Sequence, residues 1–461
     1  MPDLIRHPEG LESTGFRLEF IPCLTRGRND DFYENCSLWI DSNLFSERNG
    51  FRSIRCHSFY SFLKKESATL SRLGGIDRND EVEVDTGEKV NRGLKALEEK
   101  VLGRDLCAAC GACLSLCPYL RSYKGRVVKL DNCNLEEGRC FNYCPRIEVN
   151  LDEVYQKIYG KSYEEIELGP VRKIMMARAK DPIWVKKAQT GGVVSALIDF
   201  ALQERVIQAG VLTPRDGDLL PQGKIIKGRK EILRCAGSSY VSGPTLEALN
   251  KGPWKGEERI GIVGLPCQVL ALARMKTSKL EKKTPIDRVN LVIGLFCTWA
   301  LDYKPFIAFL NKRVGNRPIK KLNITPPPER IMEVTAGGDL YQIPVDDIRP
   351  FIRPSCRVCL DMTAELSDIS VGTVEGKGGW NTVIVRTAKG EDLLKRARRA
   401  GIIEIRPLTK NSLSHLKEAS LLKKRRALDA LHEKEGIEKN YFTLSDNLIK
   451  RIISETEGIP S

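Results

Sequence analysis

The chain has 461 residues and a formal net charge of +14, with 41% hydrophobic and 29% charged residues, the balance of an ordinary soluble protein large enough for two or three domains. No run approaches the roughly 20 apolar residues of a membrane span, and the start, MPDLIRHPEG, has no apolar signal core, so a cytoplasmic, reduced protein is expected. Fifteen cysteines against four histidines argue for thiolate ligands rather than imidazole chemistry. Residues 1–90 show little periodicity. Cys23, Cys36 and Cys56 stand there at no ligand spacing and read as free thiols in a poorly ordered extension.

Residues 91–150 carry the densest signal. After ALEEKVL, which reads as a helix, come CAACGACLSLCP and then CNLEEGRCFNYCP. Cys107, Cys110 and Cys113 are each separated by two residues, Cys117 follows after three more, and Pro118 closes the run. This is the bacterial ferredoxin arrangement, in which one loop wraps three corners of a cubane and the fourth thiolate crosses to another cluster. By that crossover, Cys107, Cys110, Cys113 and Cys144 hold one 4Fe–4S cluster, and Cys117, Cys133 and Cys140 supply three ligands to a second. Structural zinc would use two pairs, and disulfides an oxidising compartment; neither suits this run. With seven cysteines for eight positions, the second cluster takes another donor, such as a carboxylate, or lacks one iron.

Residues 151–171 read as a helical connector ended by Gly169 and Pro170. From 172 to 410, β-like runs (IMMARA, AGVLTP, RIGIVGLP, VNLVIGLFC, NTVIVRT, GIIEIRPL) alternate with helical ones (GGVVSALIDFALQERV, QVLALARMK, YKPFIAFLNKRV, EDLLKRARRA). The alternation predicts a mixed α/β domain with an at least partly parallel sheet. Residues 411–461 read as a charged helical tail on the surface or against a partner. Within it, the basic knot Lys423, Lys424, Arg425 and Arg426 reads as a solvated helix face and not as a nucleic-acid site.

Four cysteines of the main domain look placed for a common task. Cys267 follows the strand RIGIV, Cys297 ends LVIGLF, and Cys356 and Cys359 form a C-x-x-C pair. Strand ends of an α/β sheet gather along one edge, so these thiolates suit another 4Fe–4S cluster; core thiols plus a redox or zinc half-site are the alternative. Cys235 stands alone, a free thiol or the missing eighth ligand. Glycine-rich turns supply the candidate cofactor positions: Gly191 and Gly192 before a helix carrying Ser195, Gly237 and Ser238 with Tyr240, and the stretch from Asp368 through Gly372 to Trp380 and Asn381. None matches a G-x-G-x-x-G or P-loop pattern, and each glycine turn taken singly reads as a tight turn.

Taken in order, QTGGVVSALIDFAL, AGSSY, VGLPCQVLAL, IGLFC, SCRVCLDMTAELSDISVG and GGWNTVIVRTAKG resemble the beta-subunit family of coenzyme F420-reducing hydrogenases and dehydrogenases. The resemblance spans residues 170–400. It implies a mixed α/β flavoprotein domain that holds FAD and one 4Fe–4S cluster on Cys267, Cys297, Cys356 and Cys359, preceded by a small ferredoxin-like two-cluster domain. It implies hydride exchange between F420 and FAD, with single electrons passing to or from a partner: a hydrogenase, formate dehydrogenase or heterodisulfide-reductase-like subunit, or a ferredoxin. Ser239 departs from a lysine that the family often carries there, which leaves an anion contact unfilled or moved. Membership fixes machinery better than substrate. An electron-transfer subunit without its own F420 site, or a flavin reductase of another organic substrate, stays open.

Overall fold

A mixed eight-stranded sheet forms the centre of residues 88–461. Its strands are β1 (Lys173–Ala179), β2 (Ala209–Leu212), β3 (Lys224–Ile226), β4 (Ile260–Gly264), β5 (Val289–Leu295), β6 (Ile369–Thr373), β7 (Asn381–Val385) and β8 (Ile403–Arg406), in the spatial order β8-β1-β7-β6-β5-β4-β2-β3. The computed structural model describes residues 91–215, 219–325, 329–433 and 442–459. In the separate unit Met1–Gly87 it describes one antiparallel pair, Leu38–Ile40 with Arg52–Ile54. The readings made above for residues 1–90, including those of Cys23, Cys36 and Cys56, lie outside the described residues.

The four central strands β2, β4, β5 and β6 run parallel, and the flanking pairs are antiparallel. Strands such as IGIVG and NTVIV are apolar runs rather than alternating ones, as strands covered on both faces must be. The longer helices are α1 (Leu151–Tyr159), α2 (Val193–Gln203), α3 (Pro266–Thr277), α4 (Tyr303–Val314), α5 (Ala388–Arg399), α6 (Lys410–Glu433) and α7 (Asp446–Glu455). α2 and α5 bury Leu197, Ile198, Leu393 and Leu394 against β5, β6 and β7. α3 packs Ala271, Leu272 and Met275 on Ile260 and Ile262 of β4, while its Leu270 and Ala273 join the core of the cysteine-rich segment. A helix shared between two cores has to be apolar nearly all round, and VLALA is.

Residues 319–344, to which the sequence reading gave no element, form a small antiparallel sheet (Ile319–Ile324, Ile331–Ala336, Asp339–Pro344) beneath α4. Only Met332, Val334 and Ala336 of the middle strand point fully inward, a half-buried alternation that is a fainter signal than a continuous apolar run.

Two readings require correction. The helix expected over the connector ends at Gly160, whose φ of 69° takes the left-handed C-cap position that glycine adopts without strain. Residues beyond it bury Tyr163, Ile166 and Leu168 in irregular chain. The charged tail does not lie on the surface as a solvated element. Leu421, Ala427 and Leu428 of α6 and Leu448 and Ile452 of α7 share one core with Leu94, Leu97, Leu114, Phe141 and Val154.

Within the basic knot, Arg426 is exposed and Arg425 pairs with Asp429, whereas Lys423 and Lys424 are 4% and 0% exposed. The reason is helical spacing: position 424 falls three residues from 421 and 427 and four from 420 and 428, in the inward stripe. Its ammonium is 2.5 Å from the Glu365 carboxylate, which also accepts from the Tyr155 hydroxyl at 2.6 Å. A buried charge left alone is costly, and breaking such a pair by removing one partner destabilises by about 3–5 kcal/mol. Lys424→Met should therefore lower the unfolding free energy by that order in a denaturant titration. The double variant Lys424→Met/Glu365→Leu should recover most of the loss, because no orphaned carboxylate remains.

Candidate functional site

The parallel strands deliver their carboxyl ends to one edge. β4 ends at Gly264, and Pro266 opens α3 with Cys267 in its first turn. β5 ends at Leu295; the next two backbone N–H groups donate to Val371 O at 3.0 Å and Met362 O at 2.9 Å, fixing Phe296 and Cys297. Cys356 lies on the short helix Pro354–Arg357, and the Cys359 N–H folds back onto Cys356 O at 3.3 Å. The Ala300 N–H points at Cys356 Sγ at 3.3 Å. Cys267, Cys297, Cys356 and Cys359 act on one another electrostatically. Burial pushes the Cys267 and Cys297 thiols up. The Cys359 thiol, which burial would also raise, is instead held below its ordinary value by the Lys423 ammonium and the Arg146 guanidinium.

The cysteine-rich segment forms a second neighbourhood. Positive φ angles at Ala109 (52°), Gly111 (88°) and Ser115 (60°) curl the loop tightly. Asn250 clamps it by donating to Ala112 O at 3.0 Å and Leu114 O at 2.8 Å, while Arg353 bonds Cys107 O at 2.9 Å. Cys107, Cys110, Cys113 and Cys144 act on one another, and Cys140 with Cys117 and Cys133. Burial, then like charge, lifts Cys110 to about 12 and Cys140 to about 11. Burial and Cys107 lift Cys144 to about 12. Electrostatic influence runs on between sets: Cys113 feels Cys140, and Cys267 feels Cys110. Arg146, 2% exposed, acts on Cys110, Cys144, Cys267 and Cys359 alike. Cys235 joins neither neighbourhood; it ends the helix Arg229–Cys235 and packs against the α2 side of the sheet. The described cysteines form no disulfide, and among the described residues no three His, Cys, Asp or Glu side chains close on a single metal ion.

Beside Cys297, the glycine turns converge. The Asn381 carboxamide accepts from Val193 N at 3.3 Å at the start of α2 and donates to Thr190 Oγ1 at 2.6 Å and Gly372 O at 3.0 Å. Gly192 precedes α2 with φ 74°, and a Cβ on Gly191 would stand 2.7 Å from Asn381 Oδ1. A Cβ on Gly372 would overlap the Phe296 ring. Ser195 is buried on α2. Gln189 joins this turn to the other: it bonds Ser238 Oγ and donates to the Tyr240 hydroxyl at 2.8 Å, which also accepts from Ile324 N at 2.9 Å. Arg215 lies directly over Gly237, a cation near the turn where Ser239 spends its hydroxyl on Val241 O at 3.4 Å.

Two candidates stand apart. Asp368 precedes β6, at the opposite edge of the sheet, where its carboxylate accepts from Val292 N at 2.8 Å and Thr387 Oγ1 at 2.7 Å. Trp380 is held between the guanidinium groups of Arg178 and Arg406, 4.7 and 4.9 Å from its ring. Sequence reasoning missed Phe296, Gln189, Arg146 and Lys423. The first two adjoin residues already singled out; nothing local marks the two cations.

Two family descriptions match consecutive stretches: coenzyme F420 hydrogenase/dehydrogenase beta subunit, N-terminal part, over residues 174–250, and its C-terminal part over 257–411. The coenzyme F420 hydrogenase subunit beta of Methanothermobacter thermautotrophicus is 30% identical over 56% of this chain and 94% of its own. The coenzyme F420-dependent sulfite reductase of Methanocaldococcus jannaschii is 28% identical over 64% of this chain and 46% of its own. Among solved structures, a chain of the F420-reducing [NiFe] hydrogenase complex from Methanosarcina barkeri superposes with a TM-score of 0.55 at 26% identity, covering 60% of this chain and 97% of its own. With its mixed sheet, its edge of cysteines and these matches, the chain belongs to the coenzyme F420 hydrogenase/dehydrogenase beta-subunit family of oxidoreductases.

Proposed function

We propose that this chain is the iron–sulfur flavoprotein subunit of an F420-dependent oxidoreductase, exchanging hydride with F420 at FAD and relaying single electrons to or from a partner redox subunit. The observation that carries the reading is adjacency: the Gly191–Gly372–Asn381 turn meets the Phe296–Cys297 strand end, so a flavin seated on the turn would lie beside the cysteine set. FAD, when bound, supplies the conversion between two-electron hydride and one-electron chemistry, and 4Fe–4S clusters carry the single electrons.

The chain's own residues fit these groups. Four thiols that feel one another, Cys359 buried and the other three half-buried, suit a cubane, whose irons sit at separate corners. Cys267, Cys297, Cys356 and Cys359 would hold one cluster, Cys107, Cys110, Cys113 and Cys144 a second in the ferredoxin-like module 91–150, and Cys117, Cys133 and Cys140 three corners of a third. The couplings from Cys267 to Cys110 and from Cys113 to Cys140 support that order as a relay. Gly191 and Gly192 let Asn381 and Trp184 pack against the start of α2, and the helix N-terminus that carries Ser195 favours an anion. Ser238 and Tyr240 would border the same cofactor. Asp368 and Trp380 are better read as supports, one tying strand ends, the other stacked between arginines. The partner would be a hydrogenase-, formate dehydrogenase- or heterodisulfide-reductase-like subunit.

Reduced F420 offered to anaerobically purified, iron- and FAD-replete protein should bleach flavin and clusters and drive an artificial one-electron acceptor; silence with intact clusters would overturn the F420 assignment. Cys297→Ala should remove about four irons per chain and leave the other clusters' signals, read by iron analysis. Gly191→Ala should lower FAD content well below that of the parent protein, measured by absorbance of the released flavin.

A further inference from the structure

Lys423 lies within the cysteine neighbourhood rather than beside it. Its ammonium donates to Cys297 O at 2.6 Å and Asp361 O at 2.7 Å. These carbonyls belong to two separate ligand-bearing segments, the end of β5 and the loop after Cys359. The charges facing it are the thiols of Cys297, Cys356 and Cys359 and the Asp361 carboxylate. That carboxylate is occupied by the backbone N–H groups of Thr363 and Glu365, each at 2.9 Å. The neighbouring Lys424 is taken up by Glu365. Among the described residues no carboxylate forms a salt bridge with Lys423, which is 4% exposed. The family matches, over residues 174–250 and 257–411, extend no further than 411, so this group comes from chain beyond them.

A buried cation with no carboxylate in a salt bridge is expensive unless the cavity it faces is negative. Four thiolates on an iron–sulfur cube make it so, and each electron added makes it more so. An amine ordinarily protonated at neutral pH and aimed at carbonyl oxygens by charge-assisted bonds then offsets that charge at short range, where little water screens it.

We propose that Lys423 is a positioning residue that sets the reduction potential of the cluster on Cys267, Cys297, Cys356 and Cys359, its fixed charge favouring the reduced form while its two hydrogen bonds join the Cys297 strand end to the Cys359 loop. The proposal rests on the reading of those four cysteines as cluster ligands.

The test is a redox titration of the full-length protein with its clusters in place, followed by electron paramagnetic resonance. The internal couple is identified as the signal lost in Cys356→Ser. Lys423→Met should make that couple about tenfold harder to reduce, a shift of roughly 59 mV to more negative potential for one electron, with unchanged iron content; Lys423→Arg should restore it. An unshifted couple in Lys423→Met, or an equal shift in Lys423→Arg, overturns the proposal. Should Lys423→Met not retain iron, Lys423→Gln, which keeps a donor without the charge, takes its place, and a parent-like potential there overturns the proposal equally. A parent protein lacking any signal that depends on Cys356 instead overturns the reading beneath it.

Discussion

The carboxylate of Glu365 lies where water cannot reach it, and much of the arrangement around the cysteines answers that fact. It is neutralised by Lys424 from α6 and hydrogen-bonded by Tyr155 from α1, so three segments far apart in the chain must arrive together. Tyr159 of α1 adds bonds to Glu365 O at 2.7 Å and Ser367 O at 3.1 Å. The loop so pinned is the one that follows Cys359. Helical rotation does the rest: once position 424 faces Glu365, position 423 is turned by one step toward Cys297 and Asp361.

The sheet provides the complementary constraint. Parallel strands bring Gly264 and Leu295 to one edge, so two cysteines just beyond them become neighbours without any contact between them in sequence. The antiparallel pairing of β6 with β7 returns the chain to that edge, setting Asn381 opposite Thr373 and within reach of Gly372 and α2. Asp368 works at the far end, where it staples β5, β6 and the start of α5. One side of the sheet is thus left for chemistry and the other for fastening.

Much of this was legible in the sequence for physical reasons. Close spacing makes the cysteines from Cys107 to Cys144 conspicuous, and strands buried on both faces write themselves as apolar runs. Six of the eight sheet strands and the helices between them fall where their periodicity placed them, whereas β3 and β6 are not among the β-like runs. What resisted reading was everything settled by distant partners. Lys423 and Lys424 look like surface residues because burial of a lysine depends on a carboxylate or carbonyl that local sequence does not name. Residues 411–461 look like a tail because their apolar positions are sparse, and the core they complete belongs to residues 94–166. The Asn250 clamp on the cysteine loop is silent for the same reason.

The order of the chain gives the last helices a further meaning. Synthesis runs from the N-terminus, so every cysteine from Cys107 to Cys359 has been made before Lys423 and Lys424 exist. Until α6 docks, Cys297 O and Asp361 O lack the Lys423 ammonium and Glu365 lacks its Lys424 partner. A growing chain therefore presents an open basket, and the helix that lids it arrives after all the staves are in place. Among the last long helices to be made is thus the one that fixes the loop after Cys359.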